Sequence, residues 1–171
     1  MIDLDEIRRN SRIRLDREGR FHHADEPVEH AGIHRALCRG LSVRSDGAVI
    51  VRIGPQWCHV TAEETPQFVV SMRSVDSDLP HPGSWELTLL NGETETLDPS
   101  TLFHVGDVDL YCRTGGGRIV TRFLRDAYHR LAEHLLESPD GQGMALGVGD
   151  GCVIIRRVEK RPQHPGISGA S

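Results

Sequence analysis

Ile33-His34-Arg35-Ala36-Leu37-Cys38-Arg39-Gly40-Leu41, Ser45-Asp46-Gly47, and Ala48-Val49-Ile50-Val51-Arg52-Ile53-Gly54-Pro55-Gln56-Trp57-Cys58-His59-Val60-Thr61 are the runs on which the fold class turns. In the first, Ile33, Ala36, Leu37 and Leu41 recur at helical spacing. That predicts a helix over residues 29–41 with these side chains facing the core. Ser45-Asp46-Gly47 has the composition of a turn. Residues 48–53 are apolar and rich in β-branched side chains, so they predict a strand. Gly54-Pro55 reverses the chain and residues 56–61 return as a second strand. Trp57 and His59 would share one face of it, Cys58 and Val60 the other. A helix followed by a tight hairpin implies helices packed on mainly antiparallel sheet, an α+β fold.

Upstream, residues 4–10 read as a short helix, with Asp3 as N-cap and Glu6 as its capping-box partner. Ile13 and Leu15 alternate with arginines as a strand. Asp16-Arg17-Glu18-Gly19 turns the chain, Phe21 and His23 return it, and Pro27 ends the pair. Downstream, residues 68–72 and 85–90 read as strands, and Asn91-Gly92 as a hairpin turn. Residues 108–112 and 118–121 flank Gly115-Gly116-Gly117 as another hairpin. A long helix is predicted over residues 121–136. Leu124, Ala127, Tyr128, Leu131 and Leu135 would lie on one face, with Arg122, Asp126, His129 and Glu133 opposite. Pro139-Asp140-Gly141 ends it, and residues 144–148 and 152–158 form a last strand pair.

This order predicts two ββαββ-like repeats with two principal helices. The first spans residues 1–73, a link 74–84 and the second 85–158, in one compact unit, with a disordered tail over 159–171. Two unrelated units would produce the same order of elements.

The chain has 171 residues, with 20 basic and 25 acidic side chains and a net charge of -5. That length allows one domain or two small halves sharing a core. The acidic balance argues against nucleic-acid binding, which normally needs a basic stripe. No apolar run approaches a membrane span, and the first residues do not resemble a secretory signal. Cys38, Cys58, Cys112 and Cys152 lie far apart with no CxxC, so reduced thiols in a cytoplasmic protein are expected.

Arg118, Arg122, Arg125 and His129 form the strongest candidate site, a set able to bind a phosphate or carboxylate. Asp126 and Glu133, interleaved with them, would instead make a solvated face. Trp57 is a candidate aromatic wall, although tryptophans in strands are more often core. His30, His34 and Cys38 follow at i, i+4 and i+8, which suits a zinc ion, with His22 and His23 as further ligands. Ala31 stands where the zincin motif needs glutamate. Cys58 and His59 are adjacent in a strand and would point to opposite faces, so they are no nucleophile–base couple. Gly115-Gly116-Gly117 with Arg118 could contact an anion, but it lacks the lysine and hydroxyl of a P-loop.

Gly19-Arg20-Phe21-His22, Pro27-Val28, the helix 33–41, Asp46-Gly47, Val49 to Ile53, Pro55 and the run from Val60 to Val69 carry a resemblance. Over residues 12–158 the sequence resembles the bacterial domain-of-unknown-function family number 1285. It departs from that pattern at Glu64, where an aspartate is usual, and at the extra Gln67 before Phe68. The resemblance implies a two-repeat α+β fold, no defined catalytic residues, and a suggested role in signal transduction with a ligand pocket. The expected function is thus a non-enzymatic module, without cofactor, for a small anionic ligand or a protein partner. The alternative is a metal-dependent enzyme using the histidines of the first half.

Overall fold

The computed structural model describes residues 4–75 and 79–163. They divide into two units. Asp3 and residues 164–171 of the expected tail lie outside the described residues.

The first unit runs to Gln67 and includes residues 90–92. It contains α1 (Leu4–Arg9), β1 (Ile13–Leu15), β2 (Phe21–His23), β3 (Glu26–Pro27), α2 (Ala31–Gly40), β4 (Leu41–Val43), β5 (Val49–Ile53), β6 (Gln56–His59) and β7 (Thr61–Ala62). These strands make two sheets, β3-β2-β1-β7 and β4-β5-β6. All pairs are antiparallel except β1 with β7. The expected strand over 56–61 therefore divides at Val60 between the two sheets.

α2 starts where the His30 ring nitrogen Nδ1 accepts the Ile33 N–H, 3.3 Å away, which satisfies an otherwise unpaired helix-end donor. Leu37 and Leu41 are buried as their spacing predicts. Ile33 is not: it is 52% exposed. It sits in the first turn, whereas the helix packs on β5 near its far end. There a Cβ on Gly40 would collide with the Arg52 carbonyl, so glycine permits the close approach.

The second unit takes Phe68–Leu89 and Glu93–Pro162. Its elements are β8 (Gln67–Ser74), β9 (Trp85–Leu89), β10 (Thr94–Thr96), a 3-10 turn (Pro99–Thr101), β11 (Phe103–Val105), β12 (Asp109–Thr114), β13 (Ile119–Phe123), α3 (Arg125–Ala132), β14 (Leu135–Glu137), β15 (Met144–Val148), β16 (Gly151–Ile154) and β17 (Arg156–Val158). Seven strands form one sheet in the order β10-β9-β8-β13-β12-β11-β17, and β14-β15-β16 form another. β8 pairs with β9, so residues 75–84 join two strands of one sheet.

The core joins both sheets to α3. Trp85, Leu87, Leu110, Ala127, Leu131 and Leu146 are almost wholly buried in it. The other face of the large sheet holds Phe103, Tyr111 and Val120, with the Phe103 and Tyr111 rings stacked at 5.3 Å.

α3 is much shorter than the predicted helix over 121–136. Thr121 and Arg122 pair with Cys112 and Tyr111 in the sheet, and Leu135 to Glu137 pair with β15. Their backbone hydrogen bonds go to neighbouring strands, which overrides the helical spacing of the leucines. The predicted strand over 152–158 also divides. β16 pairs with β15 and β17 runs parallel to β11, with buried Ile155 at the crossing. In both units a helix precedes a three-stranded antiparallel sheet, but the seven-stranded sheet has no counterpart in the first unit. Among the described residues no helix is long and apolar enough to cross a membrane.

Candidate functional site

The expected arginine set is engaged in local contacts. Arg118 donates from Nε to the Gly115 carbonyl at 3.0 Å. Arg122, on strand β13 and not on the helix, pairs with Asp109 at 2.6 Å. Arg125 and His129 lie one turn apart on α3, their nearest nitrogens 3.4 Å apart. The Gly115 N–H already serves an anion, because both Glu95 carboxylate oxygens accept from it at 3.1 and 2.9 Å. Trp57 belongs to the first unit, where the guanidinium carbons of Arg8 and Arg44 lie 4.5 and 5.5 Å from its ring centroid.

The histidines of the first half are dispersed among separate contacts. His22 Nε2 lies 2.8 Å from Asp16 Oδ2, His23 is exposed, and His30 caps α2. His34 Nδ1 is 3.6 Å from Cys38 Sγ. Among the described residues no three His, Cys, Asp or Glu side chains gather to hold a metal ion. Burial pushes the Cys38 thiol up, so it is protonated at neutral pH. Burial alone would raise Asp16 too. Hydrogen bonds from His22, the Arg20 and Glu18 backbone N–H groups and the Arg20 charge outweigh it and hold the carboxyl below its usual range. Asp16 thus anchors the β1–β2 turn.

A cleft of about 290 Å³ lies in the second unit. On one side is the sheet edge, with His104 on β11 and Arg156 and Arg157 on β17. On the other is the turn from β14 to β15, with Ser138, Asp140 and Gln142. Met144, Ile154 and Ile155 supply apolar wall. The turn is held by the Ser138 N–H donating to the Gly143 carbonyl and the Gly141 N–H to the Ser138 carbonyl, both at 2.8 Å.

His104 is the unusual member. It is 7% exposed, yet among the described residues neither ring nitrogen has a hydrogen-bond partner. The Asp109 peptide is close enough to favour the imidazolium slightly, but without normal hydrogen-bond geometry. Burial pushes the imidazole pKa down and the Arg157 charge adds to it. A neutral ring offers one donor and one acceptor. Ser138 is also buried, with its hydroxyl near the Asp140 carboxylate but outside hydrogen-bond geometry. The sequence reading missed His104. Its one signal was a lone histidine inside the apolar run Leu102-Phe103-His104-Val105.

Two crystal structures resemble the chain. One is a DUF1285 family protein from Silicibacter pomeroyi DSS-3, with TM-score 0.57 and 12% identity over 82% of this chain and 77% of that one. The other is a DUF1285 family protein from Shewanella baltica OS155, with TM-score 0.52 and 14% identity over 72% of this chain and 91% of that one. The chain has the fold of these DUF1285 proteins. No family model matches its sequence, and no curated protein does. At such identities the DUF1285 likeness extends to the fold and leaves function to the site.

Proposed function

We propose that the second unit is a binding module for a small polar molecule, seated in the His104 cleft. The observation that carries this reading is the buried imidazole on the cleft wall with both nitrogens unpaired. Leaving one buried polar group unsatisfied costs about 1–3 kcal/mol. Both ring nitrogens are covered in this structure, so a ligand recovers part of that cost by drawing one of them toward the cleft, and the apolar wall would cover the ligand's remaining surface. His104 and Ser138 share the cleft but no hydrogen bond, so neither activates the other for catalysis. Binding without turnover is also what a sensing or regulatory role requires.

The test compares the wild type with His104→Leu by thermal melting and by native mass spectrometry of gently purified protein. Removing an unpaired buried imidazole is expected to raise stability by about 1 kcal/mol or more. It should also abolish retention of a small molecule in the cleft. Destabilisation by His104→Leu, with ligand retention unchanged, would make His104 a structural residue and overturn the reading.

A further inference from the structure

We propose that the cleft takes a zwitterion, a free α-amino acid with a hydroxyl or amide side chain. This rests on the binding reading above and names the ligand class. The charges on the wall carry it. Arg157 is already paired with Asp107 at 2.8 Å. Arg156, by contrast, has no ion-pair partner among the described residues. Asp140 accepts the Gln142 backbone N–H at 2.9 Å, and no cation pairs with it among the described residues. One cation and one carboxylate thus remain on the wall, beside a neutral imidazole.

A phosphate or a dicarboxylate matches this poorly. It would bring two negative charges toward two aspartates with a single open guanidinium to receive them, and unpaired like charges oppose binding. An amino acid matches both signs. Its carboxylate meets the planar fork of Arg156, and its ammonium meets Asp140. Its side-chain stem lies over Met144 and Ile154, and a terminal hydroxyl or amide, able to donate or accept, supplies a hydrogen-bond partner for one ring nitrogen of His104. The cleft volume suits a molecule of this size: it stands at the lower end of the range for small-molecule sites, about 300–1,000 Å³.

The experiment is isothermal titration of the full chain with L-glutamine and L-threonine, each beside its N-acetyl form. The expected result is binding of at least one free amino acid, with the N-acetyl form weaker by about tenfold or more. Asp140→Asn should erase that difference, and Arg156→Gln should weaken the free amino acid by about tenfold or more. Equal binding of the N-acetyl form, or binding of neither amino acid, overturns the zwitterion proposal. The stability of His104→Leu keeps the two readings apart. If that variant is stabilised and loses a small molecule that the wild type retains, while no amino acid binds, the ligand class is wrong and the cleft reading stands. If it is destabilised as well, both fall.

Discussion

At the scale of single residues, two titrating groups link folding to pH. His104 titrates below its ordinary value of 6.5 because burial disfavours the imidazolium. As pH falls past 6.5 the unfolded chain takes up a proton that the folded chain refuses, so stability drops as acid is added. The contribution is fully present above that pH. His104→Leu should flatten the slope of stability against pH just below 6.5, as read by urea melts at several pH values. Asp16 acts in a lower window. Its folded pKa lies below 3.8, so its contribution is present above that value and is lost as pH falls through the folded one. Asp16→Asn keeps the size of the side chain but removes the charge that His22 and Arg20 face. We expect a loss of about 1–3 kcal/mol at neutral pH, measured by urea unfolding.

At the scale of elements, α2 is held against β5 by a close backbone approach. Gly40→Ala must push a Cβ into the Arg52 carbonyl, and backbone gives way poorly. A loss of about 1–3 kcal/mol is expected in denaturant melts. Gly151→Ala, where the nearest atom to a new Cβ is the Val148 carbonyl oxygen at 3.8 Å, is the control and should change stability by less than about 0.5 kcal/mol. The elements were legible wherever local signals agreed. The Asn91-Gly92 hairpin formed as read, with Gly92 at φ 86°. So did the hairpin around Gly115-Gly116-Gly117. The second helix was over-read because Thr121 to Phe123 and Leu135 to Glu137 have leucine and aromatic spacing that suits a helix in isolation. Their hairpin partners are near in sequence, but β13 also pairs with β8, about fifty residues back, and neither the turns nor that long-range pairing is encoded in periodicity.

At the scale of the whole molecule, the second unit depends on one core joining α3 to two sheets. Leu131 lies wholly inside it. Leu131→Ala should cost about 2–5 kcal/mol, seen as a lower midpoint in thermal or urea unfolding. Sequence alone determined the α+β class, the main turns and the positions of most strands, because these follow from side-chain spacing and turn chemistry between near neighbours. It also placed the arginines and histidines that can bind anions or metals by type. Tertiary structure decided which of them remain available. It tied Arg122 to Asp109 and His22 to Asp16, and it filled the glycine turn with Glu95. It also brought His104, Ser138 and Arg156, which are distant in sequence, to one cleft. That meeting depends on β17 pairing parallel with β11, a contact between segments about fifty residues apart whose register no local pattern encodes.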